Sequence, residues 1–306
     1  MGLFGNYGNS GAGIPKYAPK KTGLALFFDL FFRKIDKITG LNLLMSIFLL
    51  PFPIAFALIR YVDNINILLA LLIVLFLAFA VNIGPATAGM TKVMRAFLIE
   101  KHTFVIRDFF RGYRENFGKA CIIGVVDVIA GLSAYACCKF YPYCAEIYNS
   151  KLFYIPLVIS LSVLLIVFMM NYYIFLMLTA TDLSMKNLIK NSFALAFVSL
   201  KSNLITTLMI IFFIILMGLI FLFATGFAII ILPFFPLALT WFIVCFNSYP
   251  VIQKFVINPY YDSIGEINPE LADAGSDIDE EPIFEDMGGK EKPIEIRKKG
   301  KGKRIS

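Results

Sequence analysis

Asp127 is the residue whose chemistry most needs explaining. It lies in Ala120–Cys138, a run that carries no other charge. A carboxylate in mid-bilayer costs roughly 2.5–3.5 kcal/mol on insertion scales, so it normally faces a partner or a wet cavity. It stands seven residues from the inner end of that run, or about 10 Å of helix. Asn171 stands seven residues from the inner end of a second uncharged run, Leu152–Leu178, at a similar depth. The two side chains could hydrogen-bond across a helical hairpin. Two chemistries fit: a proton or substrate site, or a polar clamp between helices.

Little else in the chain could react. His102 is the single histidine, and no carboxylate or metal-ligand spacing accompanies it, so it is expected at a surface. Gly5 to Gly13 follows no strand and lacks a phosphate-loop Lys-Ser/Thr pair. Five cysteines are present. Cys121 and Cys245 fall within apolar runs, as buried thiols. Cys137, Cys138 and Cys144 fall at or just beyond the outer end of one run, in a Tyr-rich loop, where either free thiols or a bridge to Cys144 is possible. No catalytic constellation, metal site or cofactor motif is found, and no enzyme is expected.

The elements that must position Asp127 and Asn171 follow from composition. The chain has 306 residues, 59% hydrophobic and 16% charged, with a mean hydropathy of +0.78. Soluble domains usually carry about 25% charged residues. An ordinary soluble enzyme, a disordered chain and a disulfide-rich module are thereby excluded. A helical span needs about 20 apolar residues. Uncharged or nearly uncharged runs cover about 41–59, 65–83, 120–138 and 152–178. The charge-free stretch Leu204–Tyr249 is too long for one helix and should break near Ala224-Thr225-Gly226, giving about 204–224 and 228–249. The fold class is all-α membrane protein with six transmembrane helices. Pro51, Pro53, Pro233 and Pro236 interrupt the first and sixth spans. No cleavable signal peptide is visible in the first 23 residues, and Asn6 stands where myristoylation requires Ser or Thr.

Charge orients the spans. Residues 1–40, 84–119, 179–203 and the tail from Pro250 hold 25 of the 28 Lys and Arg; the intervening segments hold 3. The positive-inside rule puts both termini in the cytoplasm. The net charge of +7 then reads as topology plus contact with anionic lipid, rather than nucleic-acid binding. Leu24–Ile38 is amphipathic, with Asp29, Arg33, Asp36 and Lys37 on one face, and should lie in the cytoplasmic headgroup layer. Arg107–Lys119 and Asp182–Lys201 are similar stretches. Phe31-Phe32-Arg33 and Phe109-Phe110-Arg111 are 78 residues apart, and Gly40 and Gly118 keep that offset. The pattern suggests three units, each an interfacial helix followed by a membrane hairpin. Residues 1–40 form the cytoplasmic N-terminus, 41–249 the membrane domain and 250–306 the cytoplasmic tail. That tail is expected to be disordered from about 262, with seven acids over 273–286 and eight bases over 290–304. Its basic end, 297–304, could lie on anionic lipid.

One segment is distinctive: Asn82-Ile83-Gly84-Pro85-Ala86-Thr87-Ala88-Gly89-Met90-Thr91-Lys92, continuing through Arg95 to Asp108-Phe109-Phe110. Pro85 should stop or kink the second span. Ala86, Ala88 and Gly89 permit close helix approach, and Thr87 and Thr91 can bond freed carbonyls. Lys92 and Arg95 belong at the cytoplasmic interface. The segment is either a hinge or docking surface, or a tightly packed helix end. With Phe4-Gly5-Asn6 and Leu41-Asn42-Leu43-Leu44, it resembles the YesL-like family, bacterial integral-membrane proteins of unknown function, clearly over residues 1–120. The resemblance implies a bacterial plasma membrane and, from the neighbourhoods of such genes, a role near carbohydrate uptake. The expected function is a non-enzymatic accessory or regulatory component linked to carbohydrate uptake; the alternative is an autonomous solute transporter or channel using Asp127 and Asn171.

Overall fold

The computed structural model describes residues 21–272, except 225, 227–230, 232, 233, 235 and 267. Among the described residues every regular element is helical. α1 is Gly23–Arg33, α2 Ile35–Phe48, α3 Pro51–Tyr61, α4 Ile65–Leu98, α5 Val105–Glu115 and α6 Phe117–Ile147. A short 3-10 turn, Lys151–Phe153, leads into α7, Tyr154–Ala180. α8 is Met185–Val198, α9 Leu200–Phe223 and α10 Pro236–Ile252, which runs into one π-type turn, Gln253–Ile257.

Among the described residues, four helices are long and apolar enough to cross a bilayer: α4, α6, the 3-10 turn with α7, and α9. The pair α2 and α3 makes a fifth if counted as one span, bent by 41°. The bend falls at Leu49–Leu50, just before Pro51, which occupies the first turn of α3 where its missing N–H costs nothing. α9 ends at Phe223 with Ala224 as its cap, where the long apolar stretch was expected to break. The expected sixth span, about 228–249, lies partly outside the described residues; α10 is its described part.

Three joints repeat through the chain. α1 passes to α2 at Lys34, α5 to α6 at Asn116, and α8 to α9 at Ser199. All three joint residues share nearly one backbone conformation, with φ between −105° and −117° and ψ between 7° and 31°. Burial follows the joints. Leu30, Gly112 and Leu195, four residues before them, are buried. So are Ile38, Ala120 and Asn203 four after, and Leu41, Ile123 and Thr206 seven after. The joints are 82 and 83 residues apart, so a short helix, a joint and a longer helix recur three times, at an offset other than the 78 that the Phe-Phe-Arg motifs suggest. Those motifs match one helical turn out of register. The amphipathic stretch expected as one helix, Leu24–Ile38, is likewise two helices split at Lys34.

The units interlock head to tail. α4, α7 and α10 touch one another pairwise and form an inner trio. Each short helix packs on the inner helix of the preceding unit: α5 on α4 and α8 on α7, while Phe27 of α1 meets Phe242 and Phe246 of α10 at 5.2 Å between ring centroids. The last contact closes the ring. At this end of the bundle, hereafter the collar end, the core is dense.

Away from the collar the helices part. Before Ala80, α4 keeps a single half-buried stripe, Leu68, Leu72, Leu75 and Phe79, which faces α3; Phe79 and Phe52 lie 4.8 Å apart. Beyond Gly124, α6 keeps the stripe Asp127, Ala130, Ala134, Cys137 and Tyr141 toward α7. Each of these hairpins is held laterally by its own partner helix, and its remaining faces are exposed and apolar.

All five cysteines are free thiols. The Tyr-rich segment expected as a loop is the last part of α6, which runs through Pro142 to Ile147. Six residues of helix separate Cys138 from Cys144 by about 9 Å, beyond the Cα distance of about 4.4–6.8 Å that a disulfide allows.

Residues from Asn258 on form a separate unit. Its described part is helical over Asn258–Ile264 and Pro269–Ala272, so structure persists past residue 262, where disorder was expected to begin. The Asn268 amide bonds Asn258 Oδ1 at 2.8 Å. The acidic and basic blocks of the tail, 297–304 included, lie outside the described residues.

Candidate functional site

Polar side chains concentrate where the three inner helices meet at the collar. Arg95 sits near the end of α4. Its Nη1 donates to the Thr179 carbonyl of α7 at 3.2 Å, and its Nε donates to the Tyr249 hydroxyl of α10 at 3.0 Å. The guanidinium also lies 5.7 Å from the Tyr249 ring centroid. One side chain therefore bonds all three units. One turn back, Trp241 Nε1 donates to Thr91 Oγ1 at 2.8 Å. Asn42 of α2 accepts from the Ala238 amide at 2.9 Å, again across a unit boundary. Tyr173 and Tyr172 of α7 bond Asn203 and Thr207 of α9, at 2.6 and 2.9 Å.

The distinctive segment supplies most of this. The helix does not stop at Pro85; α4 continues to Leu98. Pro85 removes one backbone donor, while side chains add bonds around it: Asn82 to Ala78 at 2.7 Å and Thr87 to Ile83 at 2.8 Å. Thr91 bonds the Thr87 carbonyl at 2.7 Å. Gly84 faces α6 so closely that a Cβ would stand 2.0 Å from the Ala120 carbonyl oxygen, and a Cβ on Gly124 would stand 2.6 Å from the Gly84 nitrogen. Gly89 meets the Phe109 carbonyl of α5 in the same way, at 2.7 Å. Lys92 pairs with Glu115, and Asn82 accepts from the Tyr113 hydroxyl, both on α5. Burial, with a smaller contribution from Cys121, pushes the Tyr113 phenol up from its ordinary value. Asp108 accepts from the Phe104 amide at 2.9 Å and closes the first turn of α5. The segment is thus packed tightly against the chain's own helices α5 and α6.

Asp127 and Asn171 do meet. Asn171 Nδ2 donates to Asp127 Oδ1 at 2.7 Å, between α6 and α7, just where the dense core gives way to the separate hairpins. Asn171 Oδ1 is buried and has no hydrogen-bond partner among the described residues. His102 is exposed and stacks edge-on against Phe104. Among the described residues, no three His, Cys, Asp or Glu side chains group as metal ligands.

Tyr113, Tyr172, Tyr173, Asn203, Trp241 and Tyr249 were not singled out from sequence. The available signal was Asn203, Thr206 and Thr207 together at the start of an otherwise apolar run. Polar residues one turn apart in a membrane helix usually face another helix.

Removing one partner of a polar pair costs about 1–3 kcal/mol, whereas replacing both can be nearly neutral. Asn171→Leu should therefore lower the melting temperature of the detergent-purified protein, and Asp127→Leu/Asn171→Leu should recover most of the loss. A double variant no more stable than Asn171→Leu would show that the pair is no clamp.

Several long apolar helices, knitted by polar side chains at one end, define an integral membrane protein. Residues 38–136, a third of the chain, match the family described as "Protein of unknown function, DUF624", in keeping with the YesL-like resemblance of the sequence. The match contains the segment Asn82–Asp108 and Asp127, and stops before Asn171. No curated protein and no solved structure matches the chain.

Proposed function

We propose that this chain is a six-span bacterial plasma-membrane protein, with both termini cytoplasmic, that works as a non-enzymatic accessory or regulatory component of an importer. The collar then faces the cytoplasm, in keeping with the charge distribution. The observation that carries the reading is the use made of polar groups within the helices. Arg95, Asn42, Asn203, Thr207, Tyr172 and Tyr173 bond one another or the backbone across unit boundaries, and Thr91 accepts from Trp241. Groups spent on holding helices together favour a scaffold over a pathway. The association with carbohydrate uptake comes from the family resemblance alone.

Affinity purification from the native membrane in a gentle detergent, with mass spectrometry of what co-purifies, tests this. Stoichiometric recovery of importer permease and ATPase subunits is the expected result. Recovery of the chain alone, or only with copies of itself, would overturn it.

A second reading, an autonomous small-solute transporter, is favoured by one observation: the unbonded, buried Asn171 Oδ1 beside Asp127. A polar atom left unsatisfied at that depth suits a ligand that arrives transiently. Solute uptake into proteoliposomes that Asp127→Asn abolishes would support it.

A further inference from the structure

The three short helices repeat more than their joints. Six residues before each joint stands a phenylalanine: Phe28, Phe110 and Phe193. Ten before stand Leu24, Ile106 and Ile189. In each helix the residue four before the joint is buried (Leu30, Gly112 and Leu195), alongside Phe109 in α5 and Leu188, Ser192 and Ala196 in α8. A step of two residues turns a helix through about 200°, so the phenylalanines point away from the bundle. They are exposed, at 51%, 37% and 50%. Each unit thus carries an apolar stripe at an equivalent position on the outside of the collar. Such a stripe, beside charged residues, suits a helix lying in the headgroup layer.

α5 departs from its two equivalents in charge. Nine, five and two residues before the joint it has Arg107, Arg111 and Arg114. α1 has Ala25, Asp29 and Phe32 there, and α8 has Lys190, Ala194 and Phe197. The charges on α1 are largely engaged: Asp29 pairs with Lys21 and Arg33, and Arg33 with Glu100 at 2.9 Å. On α5, Arg111 lies 3.6 Å from Glu115, which also accepts from Lys92. Arg107 and Arg114 make no ion pair with any described residue. Ile106, Phe110, the three arginines and Glu115 line one shallow, open depression.

We infer that this face of α5 is a binding site for the headgroup of an anionic phospholipid, with the arginines on its phosphate and Ile106 and Phe110 against the start of its acyl chains. Arginine presents a fork that matches phosphate oxygens in pairs. The apolar stripe asks for a ligand that is amphiphilic rather than a free anion. The inference deepens the membrane part of the function proposed above and rests on it.

Native mass spectrometry of the full-length protein, purified in detergent and titrated with phosphatidylglycerol, tests the site. Phosphatidylcholine serves as the neutral counterpart and inorganic phosphate as the competitor. Phosphatidylglycerol should bind preferentially, and the R107Q/R111Q/R114Q variant should lose that preference by about tenfold, the size expected of three exposed ion pairs lost together. Phosphate should not displace the lipid. A variant that keeps the preference would overturn the site, and displacement by phosphate would make it a small-anion site instead. The single variants R107Q and R114Q, at exposed positions, serve if the triple variant does not fold. The readout has no sidedness and no importer, so a negative result here leaves the proposed orientation and partnership untouched.

Discussion

Gly84→Ala protein is expected to lose its thermal stability in detergent, with a broadened or aggregated elution profile. The added methyl would stand 2.0 Å from a backbone carbonyl oxygen of α6, with the Gly124 Cα 3.0 Å away. Neither is a flexible side-chain end that could move aside. Accommodation requires α4 and α6 to separate along the contact that joins the first unit to the second. Overpacking a core costs typically about 1–3 kcal/mol and occasionally more; here the obstacle is backbone on both sides, so the upper part of that range applies. Gly131→Ala is the control. Gly131 is also in α6, and nothing lies within 4 Å of its would-be Cβ. Alanine is favoured over glycine in a helix by about 1 kcal/mol, so this variant should melt no lower than the parent. Equal melting of the two variants would show that the α4–α6 contact is looser than described.

Arg95→Ala should have the second largest effect. It removes charge-assisted bonds to α7 and α10 together. Hydrogen bonds to charged groups contribute about 1.5–3 kcal/mol each. Tyr249→Phe removes only the hydroxyl acceptor and should cost less. In a double-mutant cycle the two losses should fall short of additive, because the Tyr249 bond is counted in both. Arg95→Lys should not restore stability, since a single ammonium does not reproduce the fork that reaches two helices at once. Full additivity in thermal melts would deny that Arg95 joins the units through Tyr249.

Much of this architecture is written in hydropathy. The runs 65–83 and 120–138 fall within single long helices, and 152–178 and 204–224 do so but for a residue or two at one end, because an uncharged stretch of bilayer length has few alternatives to being a helix. The break at Ala224 was visible in small and polar residues. What hydropathy hides is how far a helix goes on past its apolar part. α4 continues fifteen residues beyond Ile83, through Pro85, because Asn82, Thr87 and Thr91 bond the backbone around the proline and α5 and α6 clasp it from outside. α6 likewise runs on to Ile147 through Pro142, which removes the loop that a disulfide would have needed.

The repeat was legible in kind but not in register. Phenylalanine is so common here that Phe-Phe-Arg pairs align one turn from the true equivalence; burial around Lys34, Asn116 and Ser199 sets it. The Asp127–Asn171 bond was readable from depth alone. The Arg95 cluster was not, because its partners Thr179 and Tyr249 come from helices with no sequence link to α4, and only the closed ring brings them together.

Burial at one end alone gives this protein two mechanical halves. The collar is cross-braced, so its cross-section is fixed. The hairpins α3–α4 and α6–α7 leave it as separate cantilevers, each with exposed apolar side chains on most faces. A bilayer that thickens or thins can be met by changing their tilt, at a cost of fractions of a kcal/mol per Å, without breaking a bond in the collar. Membrane thickness would then be registered in one leaflet and borne by the other half unchanged.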